Sequence, residues 1–297
     1  MSPHLSPRST ELRRRFAEEA RSERPDLARL CLLLAAHADG SLDEAGMDAV
    51  QIELDELAGQ LPFRPGGPRS WATALAELLG ARRGFHGSSA DYQRLESSLL
   101  HEVVRRRRGL PILLSVVWME VARRAGAPVY GVALPGHFVV GFGTPPGHPD
   151  TAPEGASYGD PFQEQVLADP FGAGRVLTGP DAELLVAGAT GAPLDPSMLR
   201  PAGPLEIVLR ILNNIRAWAA TRPERSDVSL WAVELSLLLP SHPARLRYER
   251  AQLLVQRADF LTGAAELEAY AQVVEAVDAA AAEEVLSQAR AARAMLN

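Results

Sequence analysis

Apolar positions recur at helical spacing through the first 125 residues, with polar residues between them. The repeat predicts helices within 9–60 (one of them over 43–58), over 71–79 and over 92–104. The Pro/Gly stretch 61–70 and the irregular stretch 81–91 separate these helices, and Gly80 is expected to end the helix that begins at Trp71.

A further helix is predicted over 111–125, and its sequence ILLSVVWMEVA is apolar on most sides. Pro111 suits the first helical turn, and Gly126 follows the last one. A helix that is apolar all round is normally buried. We therefore expect this segment to be the central helix of the core.

Strand-like runs follow directly, APVYGVAL over 127–134 and HFVVGFG over 137–143, interrupted by Pro135-Gly136. Beyond a Pro/Gly-rich stretch (143–159), two similar segments, GDPF and ADPF, predict turns or strand ends at Asp160 and Asp169. From about residue 205 only helices are predicted, near 205–221, 226–239, 243–257, 260–275 and 280–295. The sequence therefore predicts an α+β core followed by an all-α region.

The last segment, HPARLRYERAQLLVQRADFLTGAAELEAYAQVV, has the helix–turn–helix rhythm of a tetratricopeptide repeat. Ala251, Gly263, Ala264 and Phe260 fit the packing positions of such a repeat. Since one legible repeat is fewer than a freestanding array needs, we expect this region to dock on the core. The predicted domains are 9–200, the core with its helical N-terminal part, and 204–297, the helical hairpins.

Composition and net charge exclude several classes of function. The net charge of −7, from 37 acidic and 30 basic residues, argues against general nucleic-acid binding. We interpret the run Arg105 to Arg108 as a solvated helix end, with partner or anion binding as the alternative. The chain contains no lysine, which excludes Schiff-base catalysis and a P-loop; with abundant Ala, Arg, Gly and Pro, it is typical of a GC-rich bacterial genome. No apolar run spans a bilayer and no secretory signal begins the chain, so we expect a cytoplasmic protein.

One cysteine, Cys31, excludes an intrachain disulfide and a multi-cysteine metal site. It lies in the apolar run LARLCLLLAAHA, where a free thiol acts as a small core residue. His101 and His148 lack the spacing with carboxylates that a metal site needs. The sequence therefore predicts neither a metal nor a cofactor.

Three polar residues stand out against apolar surroundings, and they are Ser115, His137 and Asp169. Ser115 lies near the start of the buried helix, where the dipole and unpaired N–H groups favour a nucleophile. His137 is expected in a strand, in the middle of a strand-like pair, and Asp169, also expected in a strand, begins the segment ADPFGAGRVLT. Each has a structural alternative: a serine bonded one turn back, a structural histidine and an Asp-Pro turn. Asp160 competes with Asp169 as the acid.

Three segments carry a family resemblance: RRRRGLPILLS around Ser115, PGHF around His137 and DPFGAGRVL after Asp169. With the helical regions on either side, the chain resembles the SirB family of bacterial transglutaminase-like proteins. The resemblance implies a papain/transglutaminase-like core, and it places Ser115, His137 and Asp169 on the Cys-His-Asp triad of the active enzymes. The sequence departs from the family pattern at Ser97, where an asparagine is common.

Replacing the cysteine by serine changes the chemistry of such a site. A thiol can ionise beside a histidine, whereas a hydroxyl needs a general base during attack. Two hypotheses follow. The first is a pseudoenzyme that binds a protein or peptide partner, favoured by the missing thiol and the repeat-like C-terminal region. The second is a serine-dependent hydrolase or acyltransferase acting on amide or ester bonds through Ser115, His137 and Asp169.

Overall fold

A computed structural model describes residues 6–63, 66–145 and 165–296. It divides into two compact units. The core unit comprises Asp26–Ile211, and the helical unit combines the residues up to Pro25 with those from Leu212 onward. Asp160 and His148 lie outside the described residues.

The helices lie as follows along the chain: α1 (Pro7–Ala20), α2 (Leu27–Ala38), α3 (Glu44–Ala58), α4 (Pro68–Leu75), α5 (Leu100–Arg106), α6 (Pro111–Arg124), α7 (Gly179–Thr190), α8 (Pro204–Ala220), α9 (Ser226–Leu238), α10 (Arg245–Gln256), α11 (Phe260–Glu275) and α12 (Ala279–Ala294). Asp26 and Asp43 cap α2 and α3 by accepting hydrogen bonds from backbone N–H groups of the first turn.

The strands are β1 (Val129–Val132), β2 (Val139–Gly143), β3 (Gln165–Asp169), β4 (Arg175–Leu177) and β5 (Pro201–Ala202). They form an antiparallel sheet in the order β4-β3-β2-β1-β5. One face packs on α7 through Val132, Val139, Leu167, Ala182 and Val186. The mixed helix and antiparallel sheet confirm the predicted α+β class.

The buried helix predicted over 111–125 is α6, and every residue from Pro111 to Ala122 is buried. It packs against β1 and β2, where the absence of a side chain at Gly131 leaves room for Met119. Trp118 is completely buried and contacts Phe85 edge to face at 6.0 Å. The helix therefore fixes the position of Ser115 within the core rather than at its surface.

Two local predictions in the core unit are wrong. The stretch 92–104 is not one helix: two 3-10 turns, Ser89–Gln93 and Leu95–Ser98, precede α5. The first of these turns is capped by the buried carboxylate of Asp91, which accepts hydrogen bonds from the backbone and side chain of Ser88. Gly80 does not end a helix either, because it lies inside a π-helical segment, Ala76–Arg82.

The helical unit confirms the tetratricopeptide-like prediction for the C-terminal region. Helices α10, α11 and α12 pack in sequence around Ala251, Leu267, Ala271, Val285 and Ala289. A methyl group at Gly263 would come within 2.6 Å of the Val255 side chain, so the glycine permits the close α10–α11 contact. Ala251 and Ala264 are fully buried as predicted, and Phe260 is half-buried.

Candidate functional site

Ser115 is completely buried, and its hydroxyl donates a hydrogen bond to the carbonyl oxygen of Phe138 at 3.3 Å. This is neither the expected bond to a carbonyl one turn back nor a bond to His137; no hydrogen bond joins Ser115 to His137 among the described residues. The N–H of Leu114 already bonds to the carbonyl of Leu110. Ser115 therefore lies just beyond the first-turn N–H groups that lack helical partners.

His137 lies in the turn between β1 and β2, two residues before β2 begins, and not within a strand. Pro135 and Gly136 form this turn, and Gly136 has a φ of +70°, a value that favours glycine. The N–H of His137 donates to the carbonyl of Leu134 at 3.2 Å. The turn brings the histidine next to the residue whose carbonyl accepts the Ser115 hydrogen bond.

Asp169 is buried and is the last residue of β3, which matches the strand end predicted at this position. Its Oδ1 lies 2.9 Å from Nε2 of His137 and also accepts a hydrogen bond from the N–H of Phe171 at 3.1 Å. The structure thus joins His137 to Asp169 directly and joins Ser115 to the backbone beside them. This pairing can hold the imidazole in one tautomer and orientation.

Two residues that the sequence analysis did not select lie beside this pair. Arg210, on α8, donates from Nη2 to the carbonyl oxygens of Leu134 and His137, both at 2.7 Å, and its guanidinium lies 5.6 Å from the Phe138 ring centre. Tyr92 contacts Phe171 at 6.1 Å, and Phe171 contacts His137 edge to face at 6.0 Å. The helical pattern of α8 carries no signal for this role of Arg210.

The arginine run before α6 is an internal structural element and not simply a solvated helix end. Arg108 pairs with buried Asp91 at 2.9 Å, and Arg106 approaches the same carboxylate at 3.7 Å. Arg105 is exposed and pairs with Glu102, and Arg107 donates to the carbonyl of Arg83. The run thereby fixes the chain immediately before Pro111 and α6.

Ser97, the departure from the family pattern, belongs to the same cluster. It is completely buried, and its hydroxyl lies 3.4 Å from Oδ1 of Asp91. Its carbonyl accepts the N–H of Leu110 at 3.0 Å, one residue before α6. The position therefore supports the entry into α6 and does not reach His137 or Asp169 by any hydrogen bond among the described residues.

Cys31 is buried, and burial, with the nearby carboxylates of Glu120 and Asp26, raises the pKa of its thiol far above the usual range. Such a thiol packs as an apolar group and is a poor nucleophile. His101 pairs with Asp39 at 3.1 Å. Within the described ranges, no cluster of three or more His, Cys, Asp or Glu side chains is arranged to hold a metal ion.

The helical unit has a groove of about 380 Å³. It is lined by Arg13, Glu234, Leu237, Leu238, His242, Arg247, Arg250, Glu266, Ala269 and Tyr270. Glu234 pairs with Arg13 and Arg250, so these three charges of the groove largely compensate one another. The exposed side chain of Arg247 has no hydrogen-bond or ion-pair partner among the described residues, which leaves the groove with an uncompensated cation beside leucine and tyrosine side chains.

Each of the two units is matched by a known protein family. A sequence profile of the transglutaminase-like superfamily matches residues 48–213, and a tetratricopeptide repeat profile matches 215–297. A UPF0162 protein of Xylella fastidiosa is 30% identical over 237 residues, which cover 77% of this chain and 72% of that protein. The chain belongs to the transglutaminase-like superfamily and, within it, to the UPF0162 proteins.

Other relatives share part of the chain. A UPF0162 protein of Pseudomonas aeruginosa is 32% identical over 169 residues, 55% of each chain. The mouse F-box only protein 21 is 26% identical over 185 residues, which cover 62% of this chain and 27% of that protein. Among the helices that the structure describes, none is both long enough and apolar enough to cross a membrane. The cytoplasmic location expected from the sequence stays a prediction.

Proposed function

We propose that this protein is a pseudoenzyme of the SirB family, a transglutaminase-like core with a structural serine in place of the cysteine, and that it binds a protein or peptide partner. The burial of Ser115 carries the proposal. A nucleophile must meet its substrate, and a side chain with no exposed surface whose hydroxyl is bonded to the Phe138 carbonyl is not in position to do so.

The chemistry of the hydroxyl supports the same conclusion. A serine reacts only when a general base removes its proton during attack. The base candidate, His137, uses Nε2 to contact Asp169 and shares no hydrogen bond with Ser115 within the described part of the chain. In this arrangement the serine ties α6 to the turn that carries His137, which is a packing role.

Partner binding is assigned to the groove of the helical unit, for which the tetratricopeptide repeat match is the main support. Packed helical hairpins form concave surfaces of this kind. Leucine and tyrosine side chains there offer apolar contact, and Arg247 offers a positive charge. A peptide that combines apolar and acidic residues fits both properties.

Site-specific photocrosslinking in cells that express the protein tests the assignment. A photoreactive residue replaces Ala269, an exposed lining residue of the groove, and in a matched variant it replaces Ala280, which is exposed but does not line it. We expect a discrete crosslinked species from position 269 that disappears in an Arg247→Glu background. Identical crosslinks from both positions, or none from position 269, would contradict the assignment.

We predict that Ser115→Ala lowers the free energy of unfolding by about 1 kcal/mol, the usual value of one buried hydrogen bond, and leaves the groove crosslink unchanged. Ser236→Ala is the matched control. Ser236 is equally buried, but its hydroxyl bonds to the Ala232 carbonyl one turn back, so its loss should cost less than about 0.5 kcal/mol. Urea denaturation measures both. Equal stability losses would refute the structural role of Ser115 as a link between segments.

The direct His137–Asp169 contact favours a second candidate, a serine-dependent hydrolase or acyltransferase. A histidine held by a buried carboxylate is the base-and-orienter half of such a triad. Hydrolysis of a panel of activated esters and anilides tests it. Turnover that is lost equally in Ser115→Ala and His137→Ala would support this candidate, whereas turnover that survives both changes belongs to another protein in the preparation.

A further inference from the structure

A cavity of about 350 Å³ lies within the core unit, beside the second half of α3. Its apolar lining includes Ile52, Leu57 and Phe85, and two arginines and two glutamates line it as well. Ile52 is 57% exposed although its side chain is large and apolar. Ligand sites usually measure about 300–1,000 Å³, so this cavity is large enough for a ligand of the size of an amino-acid residue. The candidate triad does not line it.

Arg107 is fixed at this cavity with one edge of its guanidinium free. It follows α5 with a φ of +57°, a conformation that favours glycine, and its N–H donates to the carbonyl of Val103 at 2.8 Å. Its Nη1 donates to the carbonyl of Arg83 at 3.0 Å. Nε and Nη2 face the same side and match the two oxygens of a carboxylate, and they have no partner among the described residues. Neither is among the buried polar atoms that lack a partner, so solvent reaches both.

Arg83 is held beside Arg107 by Gln60. Nε and Nη2 of Arg83 both donate to Oε1 of Gln60, and Nε2 of Gln60 donates to the carbonyl of Glu56 at 3.0 Å. Nη1 of Arg83 has no partner in the described part of the chain, and solvent reaches it too. The two arginines therefore offer unpaired donors to one cavity from side chains that are already held in place.

Two carboxylates line the same cavity. Glu53 and Glu56 lie three residues apart on α3, so they share one face of the helix. Neither forms an ion pair with a described residue, although Arg83 and Arg107 line the cavity with them. Two unpaired carboxylates repel a doubly charged phosphate and attract a cationic group. The cavity therefore favours a ligand that carries one carboxylate and one cation.

We propose that this cavity binds a basic amino-acid residue with a free carboxylate, as found at the C-terminal end of a peptide. Arg107 binds the two carboxylate oxygens through Nε and Nη2, and Nη1 of Arg83 adds a third donor. The aliphatic stem of the ligand packs on Ile52, and its cationic group pairs with Glu53 and Glu56. The site does not rest on the proposed function, since neither the candidate triad nor the groove of the helical unit takes part in it.

Ligand-observed NMR titration of the full chain tests the site with Nα-acetyl-L-lysine, which carries both charges. Nα-acetyl-L-lysinamide lacks the carboxylate and should bind at least about tenfold more weakly, the value of a charge-assisted hydrogen bond. N-acetyl-L-norleucine keeps the stem without the ammonium group and should bind a few-fold more weakly, as for a partly exposed ion pair. Free L-lysine identifies the source: weaker binding than the acetylated form indicates a peptide end, and equal or tighter binding indicates a free amino acid.

Variants tie the binding to the named residues. Arg107→Gly removes the guanidinium, and glycine adopts the positive φ without strain, so we expect a folded protein that binds Nα-acetyl-L-lysine at least about tenfold more weakly. Arg107→Lys should fall between this variant and wild type, because an ammonium keeps the charge without the fork. Glu53→Gln combined with Glu56→Gln should abolish the preference for Nα-acetyl-L-lysine over N-acetyl-L-norleucine. Arg105→Met, at an exposed arginine of α5, should change nothing.

Three results would overturn the site. They are equal binding of Nα-acetyl-L-lysine and its amide by the wild-type protein, no detectable binding of either, and wild-type affinity in Arg107→Gly whose circular dichroism shows it to be folded. Should Arg107→Gly fail to fold, Arg107→Lys decides in its place. Undiminished affinity in that variant would refute the proposal, because an ammonium cannot form the two parallel hydrogen bonds to a carboxylate.

Discussion

Replacing Gly80 by alanine should lower the free energy of unfolding by about 3 kcal/mol, the upper end of the usual cost of overpacking. A methyl group at this position would lie 2.0 Å from the carbonyl oxygen of Ala173 and 2.9 Å from its carbonyl carbon. These are backbone atoms, so rotation of a side chain cannot relieve the clash. Ala173 lies in the turn after Asp169 and has a φ of +59°. To relieve the clash, the π-helical segment and this turn would have to move apart.

Gly188→Ala is the matched control for this prediction. Gly188 lies in α7 of the same unit, and an added methyl group there would meet no atom within 4 Å. Alanine is the better helix former, so this change should stabilise the protein by about 0.5–1 kcal/mol. Chemical denaturation of both variants measures the difference. A Gly80→Ala variant as stable as the wild type would mean that the two backbone segments do not meet as described.

Replacing Asp91 by alanine should cost about 2–3 kcal/mol, the usual result of removing a buried carboxylate that accepts several hydrogen bonds, because the partner left behind, Arg108, is partly exposed. The carboxylate is 2% exposed and accepts hydrogen bonds from Arg108 and Ser88, so its removal leaves Arg108 without its counterion. Asp55→Ala is the matched control: Asp55 also pairs with an arginine, Arg124, but it is exposed, and its loss should cost less than about 1 kcal/mol.

The contribution of the Asp91 carboxylate to the free energy of unfolding should depend on pH. Burial acts to raise the pKa of this carboxyl, but the hydrogen bonds from Arg108 and Ser88 outweigh it, so the pKa lies below its ordinary value of 3.8. A lowered pKa in the folded state stabilises the fold fully above the ordinary value, and the contribution disappears as pH falls through the folded-state value. The stability gap between wild type and Asp91→Ala should therefore narrow below pH 3.8. A gap that widens there would contradict the pairing.

The sequence predicted α6 well because its apolar run is long and bounded by Pro111 and Gly126. Its periodicity could not show that Ser115 bonds across to Phe138, since that contact joins segments 23 residues apart. Similarly, Gly80 reads as a helix terminator when only its neighbours are considered. Its true requirement, the close approach of Ala173, comes from tertiary packing.

The candidate site, too, could be predicted only where the local sequence is distinctive. The motifs around His137 and Asp169 identified both residues, and the reason is local: each lies in a distinctive turn sequence. Arg210 escaped notice because it lies in an amphipathic helix 73 residues beyond His137, where an arginine is ordinary. Asp91 escaped because the sequence Ser-Ala-Asp reads as a surface turn. Both residues contact partners that are distant in the sequence, and residue spacing does not encode such contacts.

The structural role of Ser115 is tested most directly by fluorophosphonate treatment and intact-protein mass spectrometry. The folded wild-type protein, Ser115→Ala and His137→Ala are exposed to the probe beside a serine protease that proves the reagent active. Because the hydroxyl is buried and bonded to the Phe138 carbonyl, we predict no adduct on Ser115 and the same extent of labelling in all three proteins. An adduct on Ser115 that is absent from both variants would contradict the account and establish Ser115 as a nucleophile activated by His137.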